Sequence, residues 1–182
     1  QRLGVLKELE KNMDGYQNSV KTVMRAASAR RLRGIIGPVS SILSVEPGRE
    51  VAIETALGGA LQNIVAENEA AAKAGIALLR SENAGRATFL PLDTVQPGFF
   101  RGSLSGSARL ASSLVKADPR YANIVSNLLG RTVVVDDINE ASRVARELGY
   151  HTKRVTLEGQ ARNGGGSFHG GQRTAVRGRV PP

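Results

Sequence analysis

Leu6, Met13 and Val20 recur every seven residues, flanked by Leu3 and Met24, while Lys7, Glu8, Glu10, Lys11 and Lys21 fill much of the space between. This is a short heptad pattern, and it predicts a helix with one apolar face. With Glu10 and Gln17 at the other seam positions and Gly15 inside, so short a run does not hold a coiled coil by itself. Two readings stay open: the end of a longer coiled coil, or an amphipathic helix packed on a core.

The texture changes after the basic run RRLRG, Arg30 to Gly34. The stretch GIIGPVSSILSV carries the β-branched residues and the Gly and Pro punctuation of a strand and turn, and EVAIETALGGALQ has helical spacing. Gly58 and Gly59 fall inside that helical stretch, which suggests close helix packing there. NIVAENEAAAKAGIALLRS reads as a short strand followed by a helix, and GRATFLPL returns to strand. Further on, RTVVVDDINEASRVARELGY and HTKRVTLEG repeat the plan of strand, acidic turn, helix, strand. The chain therefore holds this unit twice.

Between the copies, LDTVQPGFFRGSLSGSARL breaks every period with Pro97, Gly98, Gly102 and Gly106 and marks a boundary between two similarly built halves. A half of roughly seventy residues is near the lower limit for an independent core, so the halves are expected to pack on one another or on a partner. Phe99 and Phe100 either dock between the halves or place one ring inside and one outside.

Composition narrows the chemistry. The chain has no cysteine and only His151 and His169 as imidazoles, which argues against a disulfide framework, a thiolate site and a histidine metal cage, and no cofactor is expected. There is no apolar run of about twenty residues and no secretory layout at the start, so a soluble, cytoplasmic protein is expected. Residues 1–37 carry eight basic and three acidic side chains, residues 38–150 eleven and twelve, and residues 151–182 six and one. The net charge of +9 thus sits at the two ends. Termini brought together would make one basic face suited to a polyanion such as nucleic acid; simple solvation of basic ends is the alternative.

Catalytic motifs fail on inspection. After GSFHGG the chain has Gln172 and Arg173 where a P-loop needs Lys and Ser or Thr, and no helix-forming sequence follows Gly164, Gly166 and Gly170 to complete a dinucleotide fold. Asp136 and Asp137 stand at a strand end, where caps of the following helix are the better reading, and Glu67 with Asn68 holds the matching place in the first copy. His169 has no triad partners at a telling spacing. No enzyme is read here. The glycine-dense segment ARNGGGSFHGG, residues 161–171, is either a flexible linker or a strand edge where another backbone approaches closely, anchored by Phe168.

Taken in order and spacing, GYQNSVKTVM, AIETALGGALQNIVAENEAAAKAGIALLR, GRATFLPL, RTVVVDDINEASRVAREL and RVTLEGQARNGGGSFHGG resemble the hinge domain of the structural maintenance of chromosomes (SMC) proteins, particularly the bacterial type. The resemblance spans roughly residues 15–171. It implies an α/β (α+β) fold of two pseudo-symmetric subdomains with mixed sheets and flanking helices, plus a coiled-coil stub. The implied divisions are 1–33 for the end of the incoming coil and basic junction, 34–100 and 101–171 for the subdomains, and 172–182 for the exit. The implied role is a non-enzymatic homodimer that joins two coiled-coil arms of a chromosome condensation and segregation ATPase. The ATPase heads and the contacts to accessory condensin subunits belong to other regions of such a parent. That parent is nucleoid-associated.

The resemblance also implies residue roles. Asn163, Gly165, Gly166, Ser167, Gly170 and Gly171 match the family's dimer-interface pattern, with Gly164 in place of its usual proline, Phe168 of its methionine and His169 of its threonine. Loss of the proline loosens entry to the motif, and the larger Phe168 offsets it by apolar burial. Arg30, Arg31, Arg33, Lys153, Arg154 and Arg173 are the expected phosphate contacts, sequence-independent and with a single-strand preference in the family. The implied return helix after residue 171 meets QRTAVRGRVPP, which has no heptad and ends in two prolines, so either the chain is a fragment cut near the hinge or its exit is altered. The competing classes are a monomeric nucleic-acid-binding module and a small α/β enzyme.

Overall fold

The computed structural model describes residues 15–162 and 168–169, which divide into two compact units. Unit one contains residues 15–42 and 59–95; unit two contains 43–58 and the described residues from 96 onward.

In unit one, α1 (Asn18–Ser28) lays Val20, Val23 and Met24 on a core with Tyr16, Leu32, Ile64 and Leu79. Spacings of three and four put those three side chains on one helical face. Residues 18–28 therefore behave as an amphipathic helix packed on this core; the heptad positions before them lie outside the described residues. Strands β1 (Ile35–Pro38), β3 (Ile64–Ala66) and β4 (Phe89–Pro91) form a sheet in the order β1-β3-β4, with β1 antiparallel and β4 parallel to β3. The crossover from β3 to β4 is helix α4 (Glu69–Ser81), whose N-cap Asn68 accepts a hydrogen bond from the Ala71 N–H at 2.8 Å. Between β1 and β3 come α2 (Val39–Ile42), the short strand β2 (Ser44–Val45) and α3 (Glu50–Leu57).

Unit two holds the sheet order β10-β9-β8-β7-β5, built from β5 (Arg109–Leu110), β7 (Thr132–Val135), β8 (Lys153–Thr156), β9 (Ala161–Arg162) and β10 (Phe168–His169). Strands β7 and β8 are parallel and the other neighbours antiparallel. Helix α6 (Ile138–Leu148) makes the β7-to-β8 crossover, and its N-cap Asp137 accepts from the Glu140 N–H at 2.9 Å, so Asp137 is a cap as read from the sequence. Helix α5 (Ala122–Leu129) precedes β7.

The repeat is structural as well as sequential. β1, α2, β2, α3, β3, α4, β4 corresponds to β5, a 3-10 turn at Ala111–Leu114, β6 (Val115–Lys116), α5, β7, α6, β8. In each copy the central strand has an antiparallel neighbour from the start of the copy and a parallel one from its end. The compact units do not follow the copies, however. The first copy's segment 43–58 packs in unit two: β2 pairs antiparallel with β6, Arg109 reaches Glu46 at 3.1 Å, and α3 lies against β8 and α5. A two-residue strand has too few ladder bonds to stand alone, so it takes the pairing its equivalent offers.

Two glycine assignments change. The α-helix begun at Glu50 stops at Gly58, where φ is +53°, and a Cβ at Gly58 or Gly59 would meet nothing within 4 Å. Gly58 serves the turn, not close packing. The close approach is at Gly75, where a Cβ would lie 2.6 Å from Cε2 of Phe89. Gly75→Ala is therefore expected to cost about 1–3 kcal/mol, despite alanine's better helix propensity, and a double-mutant cycle with Phe89→Leu in chemical denaturation should recover part of it.

A polar network holds the 105–107 loop to α6. Arg143 donates to Glu140 at 2.9 Å, to Glu147 at 2.9 Å and to the Ser105 carbonyl at 2.8 Å, while Ser107 donates to Glu140 at 3.0 Å. Arg143 first, then Ser107, hold the Glu140 carboxyl down to about 2 from an ordinary value of 4.5. A depressed folded-state pKa stabilises above the unfolded value, and the contribution disappears as pH falls from about 4.5 towards 2. Glu140→Gln should flatten the acid limb of a stability–pH curve in that window and leave its neutral slope unchanged.

Candidate functional site

The glycine-dense segment follows β9. Asn163, Gly164, Gly165, Gly166, Ser167, Gly170, Gly171 and Arg173 lie outside the described residues, whereas Phe168 and His169 form β10. Its register is Phe168 opposite Arg162 and His169 opposite Ala161. Among the described residues β10 has one strand neighbour and ends the sheet, so one side of its backbone ladder is unpaired. Of the segment read as either a linker or a strand edge, Phe168–His169 are strand, and the rest lies outside the described residues apart from Ala161 and Arg162 on β9.

The basic residues separate into two groups. Helix α1 ends at Ala29, after which Arg30 takes the left-handed conformation with φ +62°. The Arg30 N–H donates to the Ala27 carbonyl at 3.1 Å and the Arg31 N–H to the Ala26 carbonyl at 2.8 Å, a Schellman closure that turns the chain sharply. Arg30, Arg31 and Arg33 are consequently all exposed around one turn, with Leu32 buried between them. Arg31 also pairs with Glu82 at 2.7 Å. Arg25, exposed in the last turn of α1, adds a basic residue that the sequence reading passed over; a basic side chain in a helix's last turn, five residues before Arg30, was the available signal.

Lys153 and Arg154 are corrected. Both sit on β8, an interior strand. Arg154 is 0% exposed, its guanidinium donating to the Thr152 carbonyl at 2.5 Å. Lys153 is partly buried, and its ammonium donates to the Ala56 carbonyl near the C-terminus of α3 at 2.8 Å; burial pushes its pKa down. A cation in the C-terminal turn satisfies orphan carbonyls and complements the helix dipole. Arg154 therefore presents nothing to a phosphate, and the Lys153 ammonium is committed to α3.

Phe100 packs on the unit-two core with Leu104 and Leu148, while Phe99 is 73% exposed, so the pair is split one in and one out. The segment carrying them is pinned to α5: Asn127 donates to the Gln96 carbonyl at 2.8 Å and the Ser126 hydroxyl to the Gly98 carbonyl. Among the described residues no group of three acidic or imidazole side chains could hold a metal ion, and no helix is long and apolar enough to cross a membrane.

The chain was compared with known proteins. Residues 32–145 match the model of the flexible hinge domain of SMC proteins. It is 40% identical over 179 residues to the chromosome partition protein Smc of Desulfitobacterium hafniense and 36% identical over 174 residues to that of Bacillus subtilis. These alignments cover 93% and 92% of this chain and 15% and 14% of the relatives, so the chain spans about a seventh of their length. Its fold superimposes on a hinge domain of Geobacillus stearothermophilus SMC solved as an asymmetric dimer, with a TM-score of 0.81, 34% identity and coverage of 97% of this chain and 76% of that one. The Pyrococcus furiosus SMC hinge domain gives 0.73 and 28%, covering 90% and 85%. A duplicated β-α-β plan with mixed sheets, the strand edge after β9 and a family match across most of the described chain lead to one assignment: the chain belongs to the SMC hinge-domain family.

Proposed function

We propose that this hinge domain homodimerises through the β10 edge and its flanking glycines, joining the two arms of a chromosome-partitioning SMC protein, and that the α1 exit turn offers DNA a basic surface. The unpaired edge of β10, at the position of the glycine motif, is the observation that carries the dimer reading. The relative solved as a dimer supports it. ATPase chemistry, accessory condensin subunits and the nucleoid association belong to the parent protein. Light scattering coupled to size exclusion, over a dilution series at low and high salt, tests the first part. A salt-resistant dimer is the expected result, because backbone pairing and apolar burial are little screened. A monomer at every dilution would overturn it and favour a monomeric nucleic-acid-binding module.

For DNA, Arg30, Arg31 and Arg33 have the exposure that phosphate contacts require, and Arg173 joins them by sequence. Replacing the first three with glutamine is expected to weaken single-stranded DNA binding about tenfold or more and to lower the salt slope by about two, for two to three lost phosphate contacts. Unchanged affinity in a fluorescence-anisotropy titration would remove this turn from the DNA face.

A further inference from the structure

Unit one contains a cleft of about 650 Å³ between the start of α1, the end of α4, the segment before β3 and the loop 83–88. Arg80 and Arg86 stand on it, both exposed, and among the described residues no carboxylate lines it. Neither arginine has an ion pair among the described residues, and nearby Glu82 is taken by Arg31. The loop is held in place: Asn83 and Gly85 adopt φ values of +49° and +94°, the Asn83 N–H donates to the Arg80 carbonyl, and the Ala84 N–H donates to the Leu79 carbonyl at 3.0 Å. Arg86 is thereby fixed within the same cleft as Arg80.

The lining also contains Gln62, 8% exposed, whose Oε1 accepts from the Gln17 N–H at 2.7 Å. That bond occupies one lone pair of the amide oxygen and turns it towards Gln17, and the Gln62 NH₂ group adds two donors. Val20, Leu79 and the half-exposed Ile76 supply an apolar wall. Two guanidiniums, an amide donor, an apolar wall and no acid among the described lining residues suit a ligand with an anionic end and a flat, weakly polar body. The volume falls in the range of small-molecule sites.

We propose that this cleft is a nucleotide site, with Arg80 and Arg86 taking the phosphate as forked donors and the Ile76 wall taking the base. The ligand is either a free nucleotide or a nucleotide within a single strand; only the second source rests on the DNA reading above. The cleft lies on the same unit as the α1 exit turn but uses none of its arginines.

The test titrates the full chain, by calorimetry, with thymidine monophosphate and with a ten-nucleotide oligothymidylate. R80Q/R86Q and I76E are compared with R30Q/R31Q/R33Q and with a charge-matched control, R101Q/R120Q; all these side chains are exposed, and thermal unfolding verifies that each variant folds. Monophosphate binding weakened about tenfold or more by R80Q/R86Q and by I76E, but not by the other two sets, establishes a free-nucleotide site. Binding of the oligonucleotide alone, weakened by the same two variants and less by the control, establishes a strand-borne nucleotide. The proposal is overturned if neither ligand responds to R80Q/R86Q and I76E, or if the control weakens the oligonucleotide equally. Failure of the α1-turn reading shows separately, as an unaffected R30Q/R31Q/R33Q protein.

Discussion

Arg154→Ala is expected to destabilise the chain by about 3 kcal/mol or more, while leaving the salt slope of DNA binding by the folded protein unchanged. Arg154 is among the largest fully buried side chains, so its truncation leaves a cavity in unit two and removes the donor to the Thr152 carbonyl. It also withdraws a buried cation from an interior strand. Arg154→Met should therefore recover packing but not the bond to the Thr152 carbonyl, and so not the full stability. Chemical denaturation measures both. A neutral Arg154→Ala would mean that the side chain reaches solvent.

The second large effect concerns association. Gly165→Val with Gly166→Val is expected to raise the dimer dissociation constant a hundredfold or more, about 2.7 kcal/mol, and to leave the monomer folded. The pair follows β9 and precedes β10 in the chain, next to the edge proposed for pairing. Two branched side chains there would keep an incoming backbone from hydrogen-bonding distance, which glycine permits. Sedimentation velocity across concentration reads the shift, and far-ultraviolet circular dichroism checks the fold. A folded variant that remains a tight dimer would sink the interface assignment.

Much of the architecture was legible because each copy of the β-α-β plan announces itself locally. Asn68 and Asp137 are polar caps between an apolar strand and an amphipathic helix, and both perform that role. The basic turn was legible for a similar reason: three arginines around one buried leucine have few other places to go. Lys153 and Arg154 misled because a charged pair at a strand start reads as surface, and only the tertiary structure reveals α3 on top of that strand. The same blind spot hid Gly75, whose reason for being glycine is a phenylalanine fourteen residues later, and the Arg80–Arg86 cleft, assembled from four separated segments. Gly58 was misread because helical spacing continues past it, while its positive φ ends the helix.

The exchange of residues 43–58 into unit two decides how the chain can be divided. The described chain crosses between units at 42/43, 58/59 and 95/96, so segment 43–58 is tethered to unit one at both of its ends. Neither sequence copy is then a complete folding module: expressed alone, residues 101–171 would lack α3 and with it the carbonyl partner of Lys153, and residues 34–100 would leave α3 without the sheet on which it packs. After a single proteolytic cut at 95/96, segment 43–58 would stay covalently joined to unit one, and the described residues from 96 onward would hold to that segment through the β2–β6 ladder and the packing of α3.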